Sequence, residues 1–229
     1  MISIIIPIKD GHVSDLCQST IDIVEENIPT AQIIVVNSGK PFSPTKSRVL
    51  VSEIQTNSRA QRINHGIDLA KNEMIILLHP RSALSLEGLN YILSNEKELT
   101  WGAFTHKFDK ENPLLKFTSW YSNNVRGKIR EIYYLDHCLY IKKDLLTKTG
   151  GLPDLDIFED TALCERLRKE SSSKLLPFVS TTSAVRFSKN GMLRQSILNQ
   201  VLKLCYMLKL NNEQMNKVYE YGIELNSKY

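Results

Sequence analysis

Residues 58–82 read SRAQRINHGIDLAKNEMIILLHPRS, a helix-patterned stretch that runs into an apolar segment and stops abruptly on His79, Pro80, Arg81 and Ser82. The apolar segment is Met74, Ile75, Ile76, Leu77 and Leu78. It falls well short of the roughly 20 residues that span a bilayer. It also lacks the alternation of a half-exposed strand, so it reads as a strand covered on both faces. Ser58 is a suitable N-cap for the helix in front of it, whose Ala60, Ile63, Ile67 and Ala70 fall on one face. In open α/β sheets the ligand crevice lies beyond the carboxyl ends of the strands, so the polar cluster behind Leu78 marks a candidate site.

The same grammar extends outward. Residues 2–6 form a β-branched strand ended by Pro7, and residues 33–36 a second that ends on Asn37, Ser38 and Gly39. A Pro- and Ser-containing loop, KPFSPTKS, leads to a third strand at 48–51, and residues 13–27 have helical spacing. This alternation predicts a mostly parallel central sheet flanked by helices. Beyond Leu84 helices are expected at 86–93, 114–128 and 160–170, and strands at 101–108, 133–142 and 174–182, with a turn at Gly150 and Gly151. Residues 192–210, MLRQSILNQVLKLCYMLKL, form an amphipathic tail helix with Leu193, Ile197, Val201, Leu204 and Leu208 on one side and Arg194, Lys203 and Lys209 beside them. Its simplest reading is a helix docked on the domain or on a second subunit as a homodimer contact. The alternative is a peripheral, in-plane membrane contact.

With 229 residues the chain is long enough to bury a sizeable core as one domain with a terminal appendage. A formal net charge of +4 fits anionic small ligands or an anionic membrane surface and falls short of a nucleic-acid binder. Cys17, Cys138, Cys164 and Cys205 are far apart with no C-x-x-C pairing. That argues against a zinc site or disulfide framework and fits a reducing cytoplasm. MISIIIPIKD lacks the basic leader of a signal peptide. No P-loop, dinucleotide-binding or nucleophile-elbow motif occurs.

Two kinds of side chain could carry chemistry. Glu159 and Asp160 open the helix in FEDTALCERLRKE; they serve either as simple N-terminal caps or, in part, as a general base that takes a proton from an attacking hydroxyl. Lys9-Asp10, Asn37-Ser38-Gly39 and His79–Ser82 each follow an apolar strand. Singly they are turn formers, but neighbouring parallel strands would bring them to one crevice. Arg59 and Arg62 could meet phosphate or simply be solvated, and Arg186 has the same two readings. His12, His65 and His106 show no metal-ligand spacing.

The ordered segments ISIIIPIKD, IIVVNSGK, SRAQRINHGIDLAKNEMIILLHPRS, GAFTHKF, LDHCLYIKKDLLTKTGGLPDLDIFEDTALCERLRKE and TTSAVRF resemble the family 2 glycosyltransferases of the GT-A fold. They are most similar to the small bacterial subgroup described as selenodomain-associated transferases. The resemblance covers almost the whole chain. It implies a GT-A-like domain over residues 1–190, with a nucleotide-sugar-binding half at 1–84 and an acceptor and catalytic half at 85–190, followed by a helical extension at 191–229. On that analogy a nucleotide-diphospho-sugar is the donor. Pro7, Lys9 and Asn37 would border the nucleobase and ribose, Arg59 would lie near the diphosphate, and His79 and Arg81 would also belong to the donor-binding side. Asp160 would be the general base with Glu159 beside it, and Asp136 and Arg186 would line the acceptor side. The acceptor itself is unknown, a lipid-linked or saccharide hydroxyl, and the setting would be the cytoplasm, at the inner face of the membrane if the tail helix docks there.

The family also implies a divalent cation, Mg²⁺ or Mn²⁺, on the donor diphosphate. Here Arg81 stands where the family places its acidic ligand, Asn37 replaces a usual aspartate, Ser58 a glycine and His137 a glutamine. Arg81 could supply the positive charge of the metal directly. Alternatively His79 and Asp136 rebuild a weak metal site, or the domain is catalytically inactive and serves as a binding or scaffold protein. A nucleotidyltransferase would want a Gly-rich basic loop after the first strand, and KDGHVSD supplies one glycine.

Overall fold

The computed structural model describes residues 1–44 and 48–221. Part of the predicted KPFSPTKS loop (45–47) and the end of the tail (222–229) lie outside the described residues. The strands are β1 (Ile2–Lys9), β2 (Gln32–Ser38), β3 (Val49–Glu53), β4 (Met74–Leu77), β5 (Ser82–Leu84), β6 (Trp101–Phe108), β7 (Leu139–Lys142) and β8 (Lys174–Thr182). They form one sheet in the order β3-β2-β1-β4-β7-β6-β8-β5. The β3-β2-β1-β4 half is parallel throughout, and β6 and β8 are also parallel. The β4-β7, β7-β6 and β8-β5 pairings are antiparallel.

The all-apolar strands are buried on both faces, as their lack of alternation requires. Ile2, Ile4, Ile6 and Ile8 of β1 pack toward Cys17, Ile21 and Val24 of helix α1 (Asp15–Asn27) and Leu89 and Ile92 of α3 (Leu86–Ser94). Ile5 points the other way, toward Ala60, Ile63 and Ile67 of α2 (Arg59–Leu69) and Leu163 and Leu167 of α6 (Glu159–Glu170). Ser58 caps α2 as its position implies: its Oγ accepts the Gln61 N–H at 3.2 Å and donates to Asp154 at 2.7 Å. Close approach sets one contact on the second half of the sheet. A Cβ on Gly102 would stand 2.0 Å from the Lys174 carbonyl oxygen, so only glycine lets β6 meet β8 there.

Three expectations need correction. Residues 133–142 are not one strand: Leu135–His137 forms a 3₁₀ turn, and only Leu139–Lys142 joins the sheet. The turn is fixed from outside, because the Ser180 and Thr182 hydroxyls donate to the Asp136 carbonyl at 2.7 and 3.0 Å. The expected helix at 114–128 begins as α4 (Pro113–Tyr121) and continues as a π-helical segment, Ser122–Ile129. After α5 (Lys143–Lys148) and α7 (Val185–Asn190), the tail forms α8 (Met192–Met207) and α9 (Asn212–Tyr221).

The tail is the third correction. Helix α8 docks on the domain, but not by the stripe that its apolar spacing singles out. Leu198 and Leu202 pack with Ile157, Phe158 and Met215, while Leu193, Ile197, Val201, Leu204 and Leu208 are exposed. Among the described residues no helix is long and apolar enough to cross a membrane.

Candidate active site

Pairing geometry gathers the site. Leu77 of β4 lies opposite Leu139 of antiparallel β7, so the turn before β7 meets the His79–Arg81 segment after β4. Strand β6 runs antiparallel past the start of β7, carrying His106 to the same place, and the end of β8 delivers Thr182 and the segment leading to Arg186. The resulting cavity is lined by Arg59, His79, Arg81, Asp136, Asp160 and Arg186 among the residues singled out from sequence. Pro7, Lys9, Asn37 and Glu159 do not line it.

The tandem acids separate because successive helical residues point about 100° apart. Glu159 is fully buried and pairs with the Arg59 guanidinium, tying α6 to the first turn of α2. Asp160 turns to the cavity, where its Oδ2 accepts the Leu135 N–H at 3.0 Å and its Oδ1 accepts the Thr161 N–H at 2.7 Å. Burial, and then the neighbouring Glu159 carboxylate, push the Asp160 carboxyl up to about 6, with Arg59 partly offsetting them. A carboxylate of this kind is still ionised at neutral pH and more basic than an ordinary aspartate. It lies in the first turn of α6, whose N-cap, Phe158, has a left-handed φ of 66° and no side-chain cap. Left-handed backbone at a non-glycine residue costs energy and clusters at functional sites. Cys138, with φ 53°, repeats this just after the turn that holds Asp136.

Asp136 lies 3.6 Å from His106 Nε2. Burial raises its carboxyl, but His106, His137, Arg126 and His79 together hold it well below the usual carboxylate range. The imidazoles themselves are kept neutral chiefly by burial; His137 falls to about 3. His137 Nδ1 donates to the Phe104 carbonyl at 3.1 Å, leaving Nε2 to accept from the Ser122 hydroxyl at 2.8 Å. The π-helical segment aims Arg126 into this network, its guanidinium 3.4 Å from the Tyr134 ring centroid and hydrogen-bonded to Ser122.

Arg126, Tyr134 and Lys203 line the cavity without having been singled out as site residues from the sequence. The signal for Arg126 was slight: SNNVRGKI breaks the apolar period of the preceding helix, as a wider π turn does, and π turns favour functional sites. Lys203 emerges from α8 into the cavity, and burial, then Arg126, lowers its ammonium to about 8.

The strand ends on the other side of the sheet are occupied by structural bonds. Asn37 Oδ1 accepts the Gly11 N–H at 3.1 Å, and its amide donates to the Lys40 carbonyl at 2.7 Å and to Glu53 at 2.7 and 2.9 Å. Asn37 thus staples the loop after β1 to the ends of β2 and β3. Buried Arg62 donates to Ser38 Oγ at 3.0 Å, and burial followed by Arg59 lowers its guanidinium to about 10.

Hard cations want several oxygen ligands. Among the described residues no group of three His, Cys, Asp or Glu side chains could hold one. His79 accepts the Arg81 N–H on Nδ1 at 3.2 Å, and Asp136 is set among imidazoles and Arg126 rather than other acids.

No protein-family model and no curated protein sequence matches the chain. Solved structures do. S. aureus TarS 1–349 superposes with TM-score 0.61 at 12% identity, covering 97% of this chain and 70% of that one. The same fragment in complex with UDP-GlcNAc gives 0.59 at 13% identity, over 97% and 71%. Mannosyltransferase PcManGT from Pyrobaculum calidifontis, in complex with GDP-Man and Mn²⁺, gives 0.59 at 14% identity, over 88% and 64%. Against the longer TarS structure the chain spans 42% of the length. The α/β sheet, its strand order and these neighbours together show that the chain has a fold of the GT-A glycosyltransferase type.

Proposed function

We propose that the chain transfers a sugar from a nucleotide-diphospho-sugar to an acceptor hydroxyl, with Asp160 as general base. The observation that carries this reading is Asp160 itself. It is a cavity-facing carboxylate raised to about 6, held by two backbone N–H groups and surrounded by Arg59, Arg81 and Arg186. In the step, Asp160 takes the acceptor hydroxyl proton, the acceptor oxygen bonds to the anomeric carbon, and the bond from that carbon to the diphosphate breaks. The nucleoside diphosphate leaves with the electron pair. Arg81 and Arg59 would stabilise its developing charge, a task that requires positive charge rather than a metal in particular. Asp136 and Arg186 would border the acceptor, while Pro7, Lys9 and Asn37, at the ends of β1 and β2, would border the nucleoside. UDP-GlcNAc and GDP-Man in the structural neighbours support a nucleotide-sugar donor, and the order of the late motifs supports the selenodomain-associated subgroup.

One observation favours a second reading, a GT-A-like binding or scaffold domain without catalysis: the Asn37 amide is consumed by Lys40 and Glu53, leaving little for a nucleobase. A panel of nucleotide-sugars, measured for binding by calorimetry and for hydrolysis or transfer with and without Mn²⁺, separates the two. Glycosyl transfer predicts binding of at least one donor, and turnover lost in Asp160→Asn. Failure of every nucleotide-sugar to bind at millimolar concentration would remove the transferase reading.

A further inference from the structure

Helix α8 has two faces with different uses. Gln195 and Leu202 are buried and, with Lys203, line the candidate active-site cavity. The opposite face carries Leu193, Ile197, Val201, Leu204, Met207 and Leu208, each between 50 and 67% exposed. Their spacing of three and four residues makes one continuous apolar stripe along the helix. A contiguous apolar surface of this kind marks an interaction site rather than ordinary solvent-facing residues. Helix α4, whose Thr118 lines the same cavity, adds the exposed pair Phe117 and Trp120, stacked at 5.9 Å. The π-helical segment and its two flanking residues face the far end of α8, since Tyr121, Arg126 and Arg130 share a second cavity with Met207 and with Lys209 and Leu210 just beyond the helix.

Charge decides the occupant. Residues 192–210 carry exposed Arg194 and Lys209, with Lys203 turned to the cavity, and no aspartate or glutamate. Residues 113–130 contain exposed Lys116, Lys128 and Arg130 and no acid, Arg126 being buried in the cavity network; Glu111, just ahead of them, pairs with Lys116. A two-fold contact between copies would set this basic surface against itself, and like-charge juxtaposition opposes association. An anionic lipid surface offers apolar depth for the stripe and negative headgroups for its flanks, with Trp and Phe at the interface. Helix α8 has 16 residues and cannot span a bilayer, so it would lie in the plane.

We propose that the outer face of α8, together with Phe117 and Trp120 of α4, docks into the headgroup region of an anionic membrane. The consequence for catalysis rests on the transferase reading. Because the inner face of α8 lines the cavity, docking sets that cavity about one helix diameter, roughly 10 Å, from the lipid, where a lipid-linked acceptor hydroxyl is delivered to Asp160.

The test uses the full chain without nucleotide, so its failure would leave the glycosyl-transfer reading standing. Co-sedimentation is measured with phosphatidylglycerol vesicles and with phosphatidylcholine vesicles across a salt series. Binding to the anionic vesicles is expected to exceed binding to the neutral ones by about tenfold or more, and to weaken with salt. Ile197→Asp with Leu204→Asp, both on the exposed face, is expected to lower it by about tenfold or more while leaving circular dichroism and Tm unchanged. Lys116→Glu, away from the stripe but within the basic surface, keeps the apolar face intact and should weaken anionic binding alone. Absence of vesicle binding by the wild type, or binding indifferent to the double substitution, overturns the proposal. So does sedimentation equilibrium showing a dimer that the double substitution dissolves, which would make the stripe a contact between copies.

Discussion

Replacing Asp160 by asparagine should change the pH dependence of stability in a way that tests the environment assigned to this carboxyl. The fold moves its pKa from an ordinary 3.8 to about 6, burial first and Glu159 second. At about 1.4 kcal/mol per tenfold change in proton affinity, holding the charged form in the folded cavity costs about 3 kcal/mol at neutral pH. The sign follows from proton binding. Between about 4 and 6 the folded state holds more proton than the unfolded one, so this group lowers stability as pH rises through that window. Asparagine removes the charge. Like the protonated acid, it offers one carbonyl oxygen to the N–H groups of Leu135 and Thr161, so it stands in for the neutral form at every pH. Asp160→Asn is therefore expected to be about 3 kcal/mol more stable than wild type at pH 7.5, and within about 1 kcal/mol of it near pH 3.5, where the folded-state carboxyl is protonated. Urea unfolding of both proteins at the two pH values measures the difference, in which titrations common to both cancel. A gap between the two proteins that does not move with pH would refute the buried, charge-strained environment of Asp160. Turnover should go with the charge: a lost general base costs about 10²–10⁴-fold in rate.

The Glu159–Arg59 pair carries an opposite expectation. Arg59→Ala leaves a fully buried carboxylate without its guanidinium and should destabilise by about 3–5 kcal/mol, most of it recovered when Glu159→Gln is added; a double-mutant cycle by urea unfolding reads this. Arg81→Ala should weaken UDP or GDP binding by about tenfold or more with no response to Mn²⁺, and calorimetry showing Mn²⁺-dependent binding in the wild type would speak against Arg81 as the cation. Trp101, 1% exposed, donates from Nε1 to the Ser171 carbonyl at 2.8 Å and meets Tyr133 edge-on. Trp101→Ala should cost about 3–5 kcal/mol in thermal or urea unfolding.

Local patterning carried a good deal of the architecture. Residues 2–6, 33–36 and 74–78 are apolar with little alternation, and a strand can have that composition only if helices cover both its faces; β1, β2 and β4 lie there, although β1 runs on through Pro7, the expected stop, to Lys9. Ser58 announced the start of α2 because its hydroxyl satisfies a free N–H within three residues. Residues 133–142 misled because Tyr133, Leu139, Tyr140 and Ile141 have β-forming side chains, while the 3₁₀ turn among them is fixed by Ser180 and Thr182, more than forty residues away.

What the sequence determined by itself is the parallel α/β half-sheet and the order of its polar strand ends, since both follow from short continuous apolar runs and from the 3.6-residue period of the helices between them, which neighbouring residues set. What only the tertiary structure decided is orientation. Antiparallel β7 brings Asp136 beside His79, a pairing absent from any local pattern. The helical turn after Phe158 commits Glu159 to Arg59 and Asp160 to the cavity, although the two adjoin in the chain and share one charge. And α8 buries Gln195, Leu198 and Leu202 while leaving its longer apolar stripe outside. A helix shows which of its faces are apolar, but the face it buries depends on the surface it meets, and that surface is assembled from residues far away in the chain.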